Sequence, residues 1–129
     1  MTTQDQLVSV RYLVDDVAAA VDFYTTQLGF TLLSNPAPAF ADVVRGSLRL
    51  LLSGPASSGA RATPDDYAGA GRNRIHLILD DFDAEVDRLR TAGVTFRSDI
   101  VAGPGGRQIL VSDPAGNLVE LFEPANTGK

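Results

Sequence analysis

Two stretches of the chain share one pattern of apolar and polar positions. Residues 10–22 read VRYLVDDVAAAVD, and residues 75–87 read IHLILDDFDAEVD. Each stretch begins with apolar residues at every second position, which predicts a half-buried strand. Two aspartates follow, and the second can cap the helix that the later apolar spacing indicates. The offset of 65 residues between Val10 and Ile75 therefore predicts an internal repeat.

The repeat is predicted to be a β-α-β-β-β module that occurs twice, at residues 7–53 and 73–124. Each helix is expected to end at a glycine, Gly29 or Gly93, because glycine is favoured just after a helix C-terminus. Turn residues 113–117 separate the last two strands. The strands are predicted at 7–14, 30–35, 39–45 and 47–53 in the first module and at 73–79, 94–101, 107–112 and 117–123 in the second.

The stretch between the modules, residues 54–72, is rich in glycine, alanine, serine and proline and has no apolar periodicity. Such a composition predicts a flexible linker. A loop of this length is either disordered or a lid over a site, and both interpretations are open. With 129 residues, the chain is expected to form one domain, residues 1–129, of the α+β class.

Composition excludes several functions. The formal net charge of -5 argues against a nucleic-acid-binding surface. Without cysteine there is no disulfide, no thiolate nucleophile and no cysteine metal site. No apolar run approaches the ~18 residues of a membrane span, and residues 1–6 lack a signal-peptide pattern, so a cytoplasmic protein is expected. The single histidine, His76, excludes any mechanism that needs two histidines from one chain.

Two local motifs carry a family resemblance. Asp22-Phe23-Tyr24 is followed by Leu28-Gly29-Phe30, and Asp113-Pro114-Ala115-Gly116-Asn117 is followed by Val119-Glu120-Leu121. With the repeated module, they make the chain resemble the vicinal oxygen chelate superfamily, which includes glyoxalase I, extradiol dioxygenases and bleomycin-resistance proteins. The resemblance covers the chain except the linker. It implies two βαβββ modules that form curled mixed sheets around a ligand cavity, and it implies a homodimer.

On that fold, the period-two alternation assigns every second strand residue to the cavity. An apolar pocket with a few polar groups is typical of small-molecule sites, and flat aromatic natural products would suit it. The alternative is that these side chains fill a closed core. The residues expected to contact a ligand are Ser9, Arg11, Phe40, Leu50, Leu52, Arg74, His76, Glu120 and Phe122. The lining is expected to be completed by Leu13, Leu48, Ile78, Phe96 and Leu118.

Metalloenzymes of the superfamily hold one divalent ion with histidine or glutamate ligands from four strands. The resemblance places those four positions at Ser9, Leu50, Arg74 and Glu120. Only Glu120 is of the expected type, and His76 lies two residues from the expected histidine. Since a catalytic site needs about three protein ligands, no cofactor is expected, and His76 and Glu120 are the remaining metal candidates. A divalent metal would need a recruited carboxylate such as Asp42, or ligands from a second chain.

Arg74, Glu120 and His76 each allow more than one interpretation. Arg74 and Glu120 can form a salt bridge at the vacated metal position, or Arg74 can hold a ligand carboxylate or phenolate. His76 can be a hydrogen-bonded residue at the margin of the core, a hydrogen-bonding partner of a ligand, or a general base. Since the sequence shows no reacting partner for such a base, no catalytic residue is assigned.

The expected function is non-catalytic binding, in which an aromatic natural product or antibiotic is sequestered in the cavity between the modules. Protection would follow from mass action, because bound drug cannot reach its target. One alternative is a metal-dependent lyase, isomerase or dioxygenase of the glyoxalase type. Another is a structural module with a filled core. Enzymatic activity is not expected, because the metal-ligand positions are largely lost.

Overall fold

A computed structural model describes residues 7–35, 39–62, 64 and 73–125. The chain divides into two compact units, Met1–Ala70 and Gly71–Lys129. Each unit contains one mixed β-sheet, of four and five strands respectively, accompanied by a few helical segments. Neither sheet closes into a barrel in the part of the chain that is described. The predicted α+β class is confirmed.

The first unit follows the predicted β-α-β-β-β order and adds a short helix. Its strands lie in the order β1-β4-β3-β2, with β1 parallel to β4 and the other neighbours antiparallel. The elements are β1 (Val8–Leu13), α1 (Val17–Asp22), a π-helical turn (Phe23–Gln27), β2 (Thr31–Ser34), β3 (Phe40–Arg45), β4 (Leu48–Ser53) and α2 (Ser58–Ala62).

The start and the end of the first helical segment both follow from the sequence. The Asp16 side chain caps α1 by accepting a hydrogen bond from the backbone N–H of Ala19 at 3.1 Å. The helix then widens into the π-turn, which buries Tyr24 completely against the edge of the Phe30 ring. Gly29 has a φ of 76°, a left-handed conformation that favours glycine and ends the helical segment as predicted.

The segment after β4 contains a helix that the sequence analysis did not predict. Ser57 begins it, because its hydroxyl accepts from the Ala60 N–H at 3.2 Å and donates to the Gly54 carbonyl at 2.7 Å. The expectation of an irregular loop is therefore wrong for residues 58–62. The sequence signal for this helix is the capping serine, because the segment has no apolar periodicity. Positions 63 and 65–72 lie outside the described residues, so the choice between lid and disordered linker stays open.

The second unit repeats the module with one strand divided. The sheet order is β5-β9-β8-β6, with β5 parallel to β9 and with β7 also paired to β8. The elements are β5 (Ile75–Ile78), α3 (Phe82–Thr91), β6 (Thr95–Phe96), β7 (Val101–Gly103), β8 (Gly106–Ser112) and β9 (Leu118–Pro124). The prediction of one continuous strand at 94–101 is wrong, because two separate strands, β6 and β7, lie there. The Ser98 hydroxyl accepts the Leu110 N–H at 3.0 Å, so a side chain replaces the strand carbonyl there.

Helix α3 buries one apolar stripe. Phe82, Val86 and Leu89 are at most 3% exposed, and each such burial contributes about 1.5–3 kcal/mol. Asp81 caps the helix by accepting from the Ala84 N–H at 3.3 Å. The double aspartates therefore act as predicted, as helix caps. No helix among the described residues is long and apolar enough to span a membrane.

Arg107 joins three elements of the second unit. Its Nε donates to Glu123 on β9 at 2.7 Å, and its Nη2 donates to Asp83 on α3 at 3.0 Å. The guanidinium also lies 4.8 Å from the centroid of the Phe82 ring. The hydrogen bonds to Glu123 and then Asp83 raise the pKa of Arg107 above its ordinary range. The side chain therefore stays charged and links β8 to β9 and to α3.

Candidate functional site

Each sheet has one apolar face and one face that carries polar side chains. On the first sheet the apolar face includes Tyr12, Val43 and Leu50, which are buried. Strand alternation places the polar groups on the opposite side. We call this side the polar face of the first sheet; its residues on β1, β3 and β4 are Ser9, Arg11, Leu13, Phe40, Asp42, Val44, Arg49, Leu51 and Ser53. The corresponding polar face of the second sheet includes His76, Ile78, Leu118, Glu120 and Phe122, with Gln108, Leu110 and Ser112 of β8 beside them.

The register of β4 overturns two predicted ligand contacts. Leu50 is paired with Val10, and Leu52 with Tyr12. Paired residues on neighbouring strands direct their side chains to the same face. Leu50 and Leu52 therefore belong to the apolar face, where both have zero exposure, and their assignment to the ligand cavity is wrong; Leu48 follows them by alternation. The run LRLLL is apolar at nearly every position, so periodicity could not choose the face.

The same register moves one of the four metal-ligand positions. In the second sheet His76 is paired with Glu120, and at the equivalent place in the first sheet Arg11 is paired with Leu51. The counterpart of Glu120 is therefore Leu51 and not Leu50. The chemical conclusion is unchanged, because leucine has no donor atom for a metal.

Glu120 lies at the centre of a cluster on the second sheet. Its Oε1 accepts a hydrogen bond from Arg74 Nε at 3.0 Å, so the predicted salt bridge is confirmed. His76 Nε2 lies 3.5 Å from the other carboxylate oxygen, and the His76 ring is 4.6 Å from that of Phe122. We call Arg74, His76, Glu120 and Phe122 the Glu120 cluster. The turn at Asp113 positions it, because Asp113 Oδ1 accepts from the N–H groups of Ala115 and Asn117 just before β9.

Exposure separates the members of the Glu120 cluster. The Glu120 side chain is 12% exposed, whereas those of Arg74 and His76 are 34% and 46% exposed. Nearly half of the His76 side chain is open to solvent, so the choice between a structural histidine and a hydrogen-bonding partner of a ligand stays a prediction. Because Glu120 is buried and the side chains of Arg74 and His76 are accessible, those two side chains are available to a ligand.

The residues present do not suit a divalent ion. Both oxygens of Glu120 already face cationic or imidazole nitrogens, and the guanidinium of Arg74 would repel a metal. Asp42, the carboxylate named above as a recruited ligand, accepts from the Ser34 hydroxyl at 2.5 Å and lies 3.7 Å from Arg49. Across the described ranges, no three histidine, aspartate or glutamate side chains gather at one place.

The polar face of the first sheet is held by two arginines. Arg49 Nε donates to the Ser9 hydroxyl at 3.0 Å, and Arg11 Nη1 donates to the Ser53 hydroxyl at 2.8 Å. Phe40 is paired with Ser53 and lies on the predicted face. Arg49 was not among the predicted site residues, because the leucine run in which it lies was assigned to the wrong face.

Phe96 does not line a polar face. It is paired with Val111, which has zero exposure, so it lies on the apolar side of the second sheet. The guanidinium of Arg90 on α3 covers its ring at 4.4 Å. Phe96 was expected to border a ligand cavity. That expectation is wrong, because the pairing of β6 with β8 places Phe96 on the apolar side of the sheet.

A surface groove of about 370 Å³ lies in the first unit, beside the edge strand β2 and the Arg45–Gly46 turn. None of the predicted site residues lines it. It meets the polar face of the first sheet at Val44, which is paired with Arg49.

Comparison with known proteins decides the family. The family description Glyoxalase/Bleomycin resistance protein/Dioxygenase superfamily matches residues 6–121. The chain belongs to this superfamily. The resemblance inferred from the repeat and from its two motifs is thereby confirmed.

Solved structures similar to this chain include both an antibiotic-binding protein and a lyase. A superfamily member from Sphaerobacter thermophilus is 30% identical, with 91% of this chain and 95% of that chain covered and a TM-score of 0.70. TnmS3, an antibiotic-binding protein from a Streptomyces species, is 28% identical, with 92% and 95% covered and a TM-score of 0.69. A lactoylglutathione lyase from Agrobacterium tumefaciens is 24% identical, with 91% and 92% covered and a TM-score of 0.74. The lyase shows a shared fold alone, so function must be argued from the site residues.

Proposed function

We propose that this superfamily member is a non-catalytic protein that binds a small aromatic molecule and sequesters it. The observation that carries the proposal is the Glu120 cluster. Glu120 lies at one of the positions that hold the ion in the superfamily's metalloenzymes. Here its carboxylate is neutralised by Arg74, whose Nε lies 3.0 Å from Glu120 Oε1. This position therefore retains polar groups that can recognise a small molecule, but it lacks the side chains that would hold a metal.

The cluster offers contacts that suit a flat molecule with a polar rim. The Phe122 and His76 rings lie 4.6 Å apart at an interplanar angle of 42°, and both present aromatic surface on which a planar ligand can stack. The imidazole and the guanidinium supply hydrogen bonds for phenol, quinone or carbonyl oxygens. We assign ligand contact to Arg74, His76 and Phe122, with Glu120 as the residue that positions them.

Similarity to a binder supports the proposal. TnmS3 is described as an antibiotic-binding protein, and the similarity extends over most of both chains. Sequestration needs only a dissociation constant well below the protein concentration, because ligand is then held by mass action. We further propose that the protein acts as a homodimer in the cytoplasm and needs no cofactor.

The proposal is tested by equilibrium binding with a panel of anthraquinones and flavonoids, measured by titration calorimetry. A member of the panel should bind saturably and be recovered with unchanged mass. Arg74→Ala and His76→Ala should each weaken binding by about tenfold or more, the loss expected for one good polar contact. Turnover of the bound molecule on addition of zinc, nickel or iron would contradict the proposal.

Arg88→Ala is the matched control for Arg74→Ala. Arg88 also forms an ion pair with a glutamate, Glu85, but on the exposed side of α3. Its loss should leave binding unchanged. Equal loss of binding in both variants would show that the effect comes from net charge rather than from the Glu120 cluster. Sedimentation of the native protein tests the homodimer, and a monomer at micromolar concentration would refute that part.

A further inference from the structure

The carboxylate of Glu120 faces one nitrogen from each of its two polar neighbours. Arg74 Nε donates to Oε1 at 3.0 Å, and His76 Nε2 lies 3.5 Å from Oε2. An ionised carboxylate has acceptor oxygens and no donor. Because the Glu120 side chain is only 12% exposed, little water competes with these two neighbours for its oxygens.

The contact with Glu120 selects one form of the His76 ring. A neutral imidazole carries one proton, on Nε2 or on Nδ1, and the other nitrogen is then an acceptor. A proton on Nε2 is attracted by the carboxylate, whereas a lone pair there would face a negative oxygen and be repelled. The form with the proton on Nε2 is therefore favoured, and Nδ1 becomes a hydrogen-bond acceptor.

The groups that Arg74 and His76 leave for a ligand differ in kind. Among the described residues, Glu120 is the only polar side-chain contact of His76, so Nδ1 has no partner there. In the same part of the chain, neither Nη atom of Arg74 has a hydrogen-bonding partner. The cluster thus offers donors from Arg74 and an acceptor from His76, and the Phe122 ring lies 4.6 Å from that of His76.

We propose that the Glu120 cluster recognises planar aromatic molecules that carry an N–H or O–H donor together with a carbonyl acceptor, as lactams and hydroxy-carbonyl compounds do. The donor binds His76 Nδ1, the carbonyl accepts from an Nη group of Arg74, and the ring system stacks on Phe122. A molecule with acceptors alone leaves Nδ1 without a partner, which costs affinity. The inference rests on the proposed function and narrows its ligand class.

Two probes that differ in one donor test this recognition. Phenanthridinone is a planar lactam, and N-methylphenanthridinone lacks its N–H group. Titration calorimetry on the full chain at about pH 8, where an imidazole carries one proton, should give about fivefold or more tighter binding for the lactam. His76→Phe keeps an aromatic ring without the acceptor and should abolish this preference. Phe122→Leu is the matched control, which should weaken both probes and keep the preference.

A measurement that needs no ligand tests the form of the His76 ring directly. The chain has a single histidine, so ¹⁵N NMR of histidine-labelled protein reports this ring alone and shows which nitrogen carries the proton. The wild type should have a protonated Nε2 and an unprotonated Nδ1. In Glu120→Gln the amide can donate as well as accept, so the protonated fraction of Nε2 should fall. A wild-type ring protonated at Nδ1 would overturn the proposal.

The possible results separate this inference from the proposed function. If both probes bind the wild type equally, donor recognition is refuted while the aromatic binder stands. If the preference persists in His76→Phe, it comes from the bulk of the methyl group, and the role of His76 is overturned. If neither probe binds saturably, the aromatic binding function and the donor recognition fail together.

Discussion

Leu50 gives the sharpest test of the strand register, because two assignments of its side chain predict different phenotypes. The register places it on the apolar face at zero exposure. Leu50→Ala removes about three methyl or methylene groups, worth ~0.8 kcal/mol each when buried. A residual cavity increases the loss, so the free energy of unfolding should fall by about 3–4 kcal/mol.

The neighbouring leucine is the matched control for this substitution. Leu51 lies on the polar face and is only half-buried, so Leu51→Ala should cost less than about 1.5 kcal/mol. Urea denaturation followed by circular dichroism measures both values, and Leu50→Met supplies a milder core variant that should cost less than about 1.5 kcal/mol. A larger loss for Leu51→Ala than for Leu50→Ala would refute the register. The folded fraction of Leu50→Ala should bind ligand with unchanged affinity.

Three further predictions concern the second unit. Gly106→Ala should destabilise it by more than about 2 kcal/mol in urea denaturation, because φ is 143° and a Cβ would collide with the Glu123 carbonyl. Asp113→Ala should cost about 1–3 kcal/mol, because two N–H groups, one buried and one part-buried, lose their acceptor; Asp113→Asn, which keeps an oxygen, should cost less, and equal losses would argue against this role. Arg107→Gln should lower the melting temperature at low salt and have a smaller effect in 1 M NaCl, since ion pairs with Asp83 and Glu123 are screened. A salt-independent loss would contradict the ion-pair account.

Local signals in the sequence account for much of the fold. The double aspartates predicted both helix starts, and the structure shows Asp16 and Asp81 as side-chain caps. The alternation in residues 75–78 correctly separated the buried Ile75 and Leu77 from the exposed His76. These features depend on neighbours within a few residues, so one sequence is sufficient to predict them.

What the sequence missed depends on partners that are distant in the chain. The face taken by Leu50 and Leu52 depends on the pairing of β4 with β1, which lies about forty residues earlier, and a continuous leucine run carries no period to reveal it. The close packing of Gly59 in α2 against Arg11 depends on a side chain from β1. The Arg74–Glu120 ion pair could be predicted because the family resemblance placed both residues at positions that share one site.

The central claim is that the protein holds an aromatic molecule without a metal and without altering it. Equilibrium dialysis of chelator-treated protein against phenanthridinone, with mass analysis of the recovered probe, tests this claim most directly. The account predicts saturation at about one molecule per chain, as expected for a single well-formed site, and a recovered mass identical to that of the probe added. Absence of saturable binding, or a changed mass that appears only when a divalent metal is restored, would contradict it.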